Sequence, residues 1–257
     1  MEYSFINSGI ASCAVFCDED VERIFIPLLK RLSEMQKRAG CRILVFIAAP
    51  PGAGKTTLAS FLKYLSGQVP GMPSLSVIGM DGFHRYQEYL ISHMTVVYGQ
   101  ELPMVRVKGA PETFDLEKLK AAVTALKEQP EVRWPDYDRL RHNPVEDAIR
   151  VDGDIVILEG NYLLLDSEGW RELAALADFK IFLTADEELL RSRLIERKIS
   201  SGVGRKEAEA FVSFSDMRNV RTVLEKSLPG DVTLRAEDGF RFSSFPHSDF
   251  LFDGLCD

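Results

Sequence analysis

The chain has 257 residues, 46% of them hydrophobic and 27% charged, which is typical of a globular protein able to bury one large core or two small ones. The net charge of −8 disfavours nucleic acid or an anionic membrane as a partner, and the longest apolar run, residues 43–51, is too short to cross a bilayer. The acidic start at Glu2 does not resemble a secretory signal, and four scattered cysteines are interpreted as free thiols, so the predicted location is cytoplasmic.

The first patterned segment is an amphipathic helix that begins at the acidic run 18–20 and ends at Gly40. Pro27 lies within it and marks either a kink or the start of the helix. A continuous apolar run, residues 43–48, then predicts a buried strand, and apolar positions recur at helical spacing over 58–65. The sequence therefore predicts a strand, a tight turn and a helix in succession.

The turn between this strand and helix has the sequence Ala-Pro-Pro-Gly-Ala-Gly-Lys-Thr-Thr over residues 49–57. Its Gly54-Lys55-Thr56 matches the end of the phosphate-binding pattern G-x-x-x-x-G-K-[ST]. Its glycines allow backbone N–H groups to surround a phosphate, while Lys55 is expected to reach the β- and γ-phosphates and the Thr56 hydroxyl to bind Mg²⁺. The pattern has glycine where this chain has Ala49, which is small enough to be tolerated. The alternative to a phosphate-binding loop is a glycine-rich turn that matches the pattern by chance. The residues expected to contact the nucleotide are Pro51, Gly52, Ala53, Gly54, Lys55, Thr56 and Thr57.

The rest of the chain continues the alternation of strands and helices. Three more apolar runs predict strands over 76–80, 154–159 and 179–183. Between them, Asp115 is the predicted N-cap of a helix over 116–126. The polar residues 130–146 are predicted to form an ordered loop.

The C-terminal third is predicted to contain two helices and a hairpin. A capping box, Thr184-x-x-Glu187, would open the first helix, and a second would run from about residue 206 towards 224, after two glycines. Residues 232–235 and 240–242, separated by a turn, suggest a hairpin at the sheet edge. The predicted fold is a P-loop NTPase three-layer α/β sandwich with a mostly parallel five-stranded sheet, a helical lid and a C-terminal edge hairpin.

Two carboxylates follow predicted strands, at the edge where ligands bind in parallel sheets. Asp81 is placed to accept the proton of an acceptor hydroxyl, although a turn cap at the strand end is the alternative. Glu159 is placed to hold Mg²⁺ through water, with a simple turn as its alternative.

A basic cluster lies between the capping box and the glycines Gly202 and Gly204. Arg193 and Arg197 are four residues apart and share a helix face, and guanidinium groups suit the charge of a transferring phosphate. The flanking glycines would let this segment close over the site as a lid. The alternative is a solvated basic face paired with nearby glutamates.

The ordered set of motifs resembles the uridine kinase, phosphoribulokinase and pantothenate kinase family of P-loop kinases. The matching pieces are Gly54-Lys55-Thr56, Asp81-Gly82-Phe83-His84, residues 108–115, residues 135–138, Glu159-Gly160-Asn161-Tyr162 and the basic lid. They cover residues 41–236 and look most like a bacterial branch labelled nucleoside/nucleotide kinase-like or fructose transport system kinase. The Gly-Phe-His run after Asp81 departs from uridine kinases, which places nucleoside specificity in question.

The resemblance implies an ATP-dependent phosphotransferase that uses Mg²⁺ and a small hydroxylated acceptor such as a sugar, a nucleoside or a pantothenate-like molecule. In that interpretation Asp81 is the base, Lys55 and Arg193 are catalytic, and Arg197 and Arg205 bind phosphates. His84, Tyr137 and Asp138 would line the acceptor pocket.

The resemblance also gives a single kinase domain over residues 1–257. Its expected parts are an N-terminal extension and helix at 1–40, a core at 41–236, the lid at 185–205 and a tail at 237–257. The tail aromatics would form an interface or fill the core, and the monomer and homodimer both stay open. The other functional hypothesis is a nucleoside triphosphate hydrolase or regulatory nucleotide-binding protein without an acceptor.

Overall fold

A computed structural model describes residues 1–7, 10–238 and 241–246 of the chain. The strands are β1 (Glu2–Asn7), β2 (Ile10–Val15), β3 (Ile43–Ala48), β4 (Leu75–Gly79), β5 (Met94–Val97), β6 (Gln100–Pro103), β7 (Val132–Asp138), β8 (Asn143–Val151), β9 (Ile155–Gly160), β10 (Phe179–Thr184), β11 (Val232–Ala236) and β12 (Phe242–Pro246). The helices are α1 (Asp18–Asp20), α2 (Ile26–Ala39), α3 (Lys55–Ser66), α4 (Gln87–Ser92), α5 (Leu116–Glu128), α6 (Trp170–Ala174), α7 (Glu187–Ser200), α8 (Arg205–Phe211) and α9 (Met217–Lys226).

The central sheet has six strands in the order β12–β11–β10–β3–β9–β4. Five of the six run parallel, and β12 pairs antiparallel with β11. Parallel neighbours need crossover connections, and helices supply them here. The predicted mostly parallel sheet with a C-terminal edge hairpin is confirmed, and the hairpin contributes the fifth parallel strand and a sixth, antiparallel one.

The sheet is covered on both faces, as the apolar sequence of β3 requires. The odd-numbered residues of β3 pack with α2 and α3, whereas the even-numbered residues pack with α5 and α6. Successive side chains of a strand point to opposite faces, so the apolar side chains of this one strand pack in two separate hydrophobic cores. The predicted three-layer arrangement is confirmed.

The N-terminal helical segment runs from Asp18 to Ala39 with a π-helical turn at Val21–Phe25. Pro27 lies in the first turn of α2, where its missing N–H is tolerated. The wider turn immediately before Pro27 accommodates the change in hydrogen bonding. The segment ends at Gly40, whose φ of 65° suits a glycine C-cap.

The predicted loop over 130–146 is wrong, because most of it forms the antiparallel hairpin β7–β8. The strands are irregular: the register shifts between Trp134 and Asp136, on either side of Pro135. Trp134 is fully buried, and its indole N–H donates to the Gly79 carbonyl at 2.8 Å. A tertiary contact therefore holds a strand whose composition favours a loop.

The predicted capping box at Thr184 is also wrong. Thr184 still belongs to β10, where it pairs with Arg235, and α7 begins at Glu187. Asp186 is the N-cap but makes no capping hydrogen bond, since its side chain accepts from Arg235. The helix therefore begins later than the capping signal predicts, because Thr184 is paired in the sheet.

The described part of the tail packs against the N-terminal region. Phe242 stacks on Phe16 with ring centroids 5.8 Å apart and meets Phe25 edge-on at 5.2 Å. This supports core filling for that one residue. Three tail aromatics of the prediction lie outside the described residues: Phe240, Phe250 and Phe252. Among the residues that are described, no helix has the length and apolarity of a membrane span.

Arg42 ties the start of β3 to the end of α5, and its removal is expected to destabilise the fold. Its guanidinium donates to the carbonyls of Gly153 and Leu126, each at 2.8 Å, and to those of Gln129 and Pro130. These charge-assisted bonds satisfy carbonyls at a helix C-terminus. We expect Arg42→Ala to lower the free energy of unfolding by about 2–3 kcal/mol in urea titrations.

The matched control is Arg38→Ala, which removes an exposed guanidinium that lies 3.8 Å from Glu34. An exposed pair of this kind contributes about 0–1 kcal/mol. Equal unfolding midpoints for the Arg38 and Arg42 variants would contradict the role given to Arg42.

Candidate active site

The loop between β3 and α3 turns on two glycines in the left-handed region, Gly52 with φ 85° and Gly54 with φ 93°. A Cβ on Gly52 would also come within 3.1 Å of Leu194 Cγ, so α7 packs directly on the loop. Ala49 needs no such conformation: it is buried, and its N–H donates to the Gly160 carbonyl at 3.3 Å. The first position of the pattern therefore continues the strand pairing, which explains why alanine fits.

Glu159 lies between the loop and the end of β4, because β9 is the middle strand of the three. It is paired with Ile47 of β3 and with Gly79 of β4. Thr56 Oγ1 donates to Glu159 Oε1 at 2.8 Å, and Lys55 Nζ lies 4.0 Å from Oε2. Burial raises the pKa of Glu159, and the Lys55 charge opposes that rise. A buried carboxylate beside a hydroxyl offers the hard oxygen ligands that Mg²⁺ prefers.

Asp81 lies on a 3₁₀ turn, Met80–Phe83, directly after β4. Arg139 Nη2 is 3.7 Å from its carboxylate, of which 43% stays exposed to a cleft. Desolvation by the surrounding protein would by itself raise the pKa of Asp81. The electrostatic interaction with His84 and the positive charges of Lys55 and Arg139 outweigh that effect and lower the pKa below the ordinary carboxyl value. Asp81 is therefore ionised at neutral pH, which is the state a general base needs.

His84 and Tyr137 lie beside Asp81. The ring nitrogen Nδ1 of His84 is 2.8 Å from the Asp81 carbonyl, and because a carbonyl only accepts, Nδ1 carries the proton. Burial lowers the pKa of His84, so the ring is neutral at pH 7 and Nε2 is an acceptor. The Tyr137 ring is 5.0 Å from that of His84. Burial and then the Asp81 charge raise the pKa of Tyr137 to about 12, so its hydroxyl stays protonated.

Helix α7 supplies cations from the opposite side. Arg193 and Arg197, one turn apart, both line the cleft, and burial lowers the pKa of each without removing its charge at neutral pH. Lys198 also lines it, with Nζ 4.0 Å from Asp216 Oδ2 and 3.6 Å from the centroid of the Phe211 ring. Three cations from one helix therefore face the phosphate loop.

The phosphate loop, Asp81, His84 and the cations of α7 surround one cleft of about 560 Å³, a volume suited to small-molecule ligands. The phosphate loop, the turn after β4, the tip of the β7–β8 hairpin, α7 and the segment 211–219 form its walls. Its cationic lining residues are Lys55, Lys108, Arg139, Arg193, Arg197 and Lys198. This arrangement can hold several phosphates beside an ionised carboxylate.

Five predicted site residues are not among those that line the cleft: Ala53, Tyr137, Asp138, Glu159 and Arg205. Ala53 belongs to the phosphate loop, Glu159 accepts from the lining residue Thr56, and the Tyr137 ring lies beside that of the lining residue His84. Asp138 accepts the backbone N–H groups of Leu140 and Arg141 at 2.8 and 3.0 Å, so it caps its own turn. Arg205 is exposed and lies 3.4 Å from Glu196. The predicted roles of Asp138 and Arg205 in binding the acceptor and the phosphates have no support from the geometry.

Ten of the described lining residues were not among the predicted site residues, and they include Arg139, Lys108 and Asp216. Arg139 lies at the hairpin tip and approaches Asp81 only because the hairpin folds over the turn. Lys108 belongs to the matched motif 108–115, which was a usable signal. Asp216 lies in a π-helical turn after α8, where nothing in the local sequence marks it.

The chain matches the sequence model of the family described as Phosphoribulokinase / Uridine kinase family over residues 44–213. It is similar to the uncharacterized protein YggC of Escherichia coli (strain K12), with 41% identity over 95% of this chain and 100% of that protein. It is also similar to a protein named putative uridine kinase C227.14 of Schizosaccharomyces pombe, with 32% identity over 76% of this chain and 83% of the relative.

Among solved structures, the chain is similar to the putative fructose transport system kinase from Silicibacter sp. TM1040. The two share 35% sequence identity with a TM-score of 0.71. The match covers 82% of this chain and 96% of that one. At this identity and coverage, the likeness extends over most of the fold.

Proposed function

The chain belongs to the phosphoribulokinase/uridine kinase family of ATP-dependent kinases that phosphorylate small molecules. We propose that it transfers the γ-phosphate of ATP to a hydroxyl of a small metabolite. The acceptor would be a sugar, a nucleoside or a pantothenate-like molecule, with Asp81 as the base. The names of the relatives, a uridine kinase and a fructose transport system kinase, are consistent with an acceptor of this class.

One observation carries the proposal: an ionised carboxylate lies on the same sheet edge as the phosphate loop. Asp81 follows β4, Lys55 follows β3, and Glu159 ends the strand between them. The pKa of Asp81 is held low by cations around it. A base and a phosphate cradle at the same edge of the sheet, on two strands that flank β9, are what in-line transfer to a hydroxyl requires.

The residues present fit ATP and Mg²⁺. The positive φ values of Gly52 and Gly54 shape a loop of N–H donors at the start of α3. Thr56 and the buried Glu159 carboxylate would hold the ion, directly or through water, and Lys55 would bind the phosphates. When bound, magnesium and ATP supply an electrophilic phosphorus whose developing charge is partly neutralised.

The remaining steps belong to the side chains around the cleft. Asp81 accepts the proton of the acceptor hydroxyl as its oxygen bonds to phosphorus, and His84 and Tyr137 orient the acceptor. Arg193 and Arg197 stabilise the charge that spreads over the transferring phosphoryl oxygens. The proposed lid, residues 185–205, contains α7 and ends at glycines that include Gly202 with φ 93°, so it can close over both substrates and exclude water.

We extend the proposal to the whole chain as one kinase domain, 1–257, with its core at 41–236. The aromatic contacts of the N-terminal extension and of the tail with the core favour one folding unit.

The proposal is tested by measuring ADP formation with and without a panel of sugars, nucleosides and pantothenate. We expect at least one acceptor to raise ATP turnover by about tenfold or more over the acceptor-free rate, because water is a poorly positioned nucleophile in a closed site. A phosphorylated product should appear in the mass spectrum in proportion to ADP. Turnover that never depends on an acceptor would favour the hydrolase hypothesis instead.

A further inference from the structure

Lys108 is a cation that the transfer of a phosphoryl group does not itself require. Its Nζ lies 5.2 Å from the centroid of the Tyr137 ring, which in turn packs on His84 beside the Asp81 carbonyl. Lys55 and the arginines of α7, by contrast, adjoin the phosphate loop. Lys108 therefore stands on the acceptor side of the cleft.

The ammonium of Lys108 is fixed in place but has no counterion. It donates to Gln87 Oε1 and to the His142 carbonyl, each at 2.7 Å, and one of its three donors remains for a ligand. Among the described residues, no carboxylate forms an ion pair with it. Burial lowers the pKa of Lys108 to about 8, so it is still largely protonated at neutral pH. A partly desolvated cation without a counterion is costly unless a bound anion offsets the loss of water.

The same cleft has buried oxygen atoms without hydrogen bonds. Within the described part of the chain, Asn161 Oδ1 and Asp216 Oδ2 are buried without a hydrogen bond, and both residues line the cleft. Lys198 Nζ lies 4.0 Å from Asp216 Oδ2, which is too far for a hydrogen bond. Asn219, on the same wall as Asp216, adjoins Gly109: a Cβ there would lie 3.7 Å from Asn219 Nδ2. Buried acceptors without donors are rare in proteins, so they point to hydroxyl groups of a ligand.

We propose that the phosphate acceptor is a polyhydroxylated metabolite that carries an anionic group, a carboxylate or a phosphate, which Lys108 binds while Asn161 and Asp216 accept hydrogen bonds from its hydroxyls. This inference rests on the proposed kinase function, and it narrows the acceptor class. A neutral sugar or nucleoside leaves the Lys108 ammonium unpaired, whereas an anionic acceptor satisfies it.

The test compares acceptors in matched pairs that differ in charge. Gluconate and glycerate are assayed against sorbitol and glycerol, and fructose 6-phosphate and ribulose 5-phosphate against fructose and ribulose. The first set detects a carboxylate, and the second a phosphate. We expect acceptor-dependent ADP formation with an anionic member and at least tenfold lower kcat/KM with its neutral counterpart.

The variant Lys108→Met isolates the contact. For the anionic acceptor its KM should rise by about 10–100-fold, with kcat and the KM for ATP nearly unchanged, since one charge-assisted bond is lost. Lys108→Arg, which keeps the charge, should recover part of the affinity. Lys206→Met, which removes an exposed lysine of α8, is the control and should leave every constant unchanged.

The outcomes separate the two proposals. If neutral and anionic members react equally well, or if Lys108→Met raises the KM of both alike, the kinase function stands and the anionic acceptor is overturned. A variant whose thermal midpoint falls while its KM for the anionic acceptor does not change assigns Lys108 a purely structural role and likewise overturns it. If no member of any pair stimulates turnover but a nucleoside of the larger panel does, the kinase function stands and the anionic acceptor is overturned. If no acceptor of either panel stimulates turnover, the proposed kinase function fails, and this inference fails with it.

Discussion

Asp81→Asn is expected to lower kcat/KM for phosphoryl transfer by about 10²–10⁴-fold, the usual contribution of a positioned general base. Asparagine keeps the size of the side chain but cannot accept the hydroxyl proton. The KM for ATP should change little, because the phosphates are held by the loop and by Lys55. Steady-state kinetics with the best acceptor of the panel, together with ATP titration by calorimetry, measure both quantities.

The control for this substitution is Asp152→Asn. Asp152 is an exposed carboxylate that pairs with Arg150 at the end of β8, where the chain enters β9 from the opposite edge of the sheet. The substitution Asp152→Asn should leave kcat/KM for phosphoryl transfer unchanged. If Asp81→Asn also retains the wild-type rate with every accepted substrate, then Asp81 is a turn cap and not the base.

The charges around Asp81 also fix the expected pH profile. A folded-state pKa lowered below the ordinary 3.8 means that the carboxylate is lost only in strong acid. The pKa of His84 is lowered from 6.5, so this ring is already neutral above that pH. We therefore expect kcat/KM for an anionic acceptor to be flat between pH 6.5 and about 7, and to fall through its half-point near pH 8, where half of Lys108 has lost its charge.

Lys55→Met is the second substitution with a large expected effect, a fall in kcat of about 10²–10³-fold. Methionine keeps the aliphatic stem, so the change removes the ammonium from the phosphates and from the neighbourhood of Glu159, 4.0 Å away. Because Lys55 lowers the pKa of Glu159, the variant should also have a more readily protonated glutamate and weaker binding of Mg²⁺. Rates measured over a range of Mg²⁺ concentrations would show both effects.

Lys63→Met is the matched control, since Lys63 lies on the exposed face of the last turn of the same helix. The loss of one surface charge there should leave kcat within about twofold. An equal fall for the two lysine variants would mean that the effect comes from α3 and not from the phosphate contact.

The local features of this fold were predictable because each depends on neighbours in the chain. The run 43–48 is apolar at every position, so it had to be a strand buried on both faces. Gly52 and Gly54 adopt the φ values that only glycine takes easily. Asp115 caps α5 through the Lys118 N–H at 3.2 Å, as its position before a helical pattern predicts.

The features that failed are those which distant contacts decide. Residues 130–146 contain proline, aspartate and arginine, and they became a hairpin because the Trp134 ring is buried against Phe83 and its N–H reaches Gly79. Thr184 has the sequence context of a helix cap, but it pairs with Arg235 in the sheet instead. In both places a long-range contact outweighed a local preference of a few tenths to about 1 kcal/mol.

The sequence by itself determined the phosphate loop, the strands that carry Asp81 and Glu159, and the helix that carries Arg193 and Arg197, because glycine conformation and apolar periodicity act within a few residues. Only the tertiary structure decided which side chains meet across the cleft. It brought Arg139 to Asp81 and Lys108 to the acceptor side, and it left Asp138 and Arg205 outside the lining. The physical reason is that packing between distant segments sets where a hairpin or a helix lies, and no local pattern contains that information.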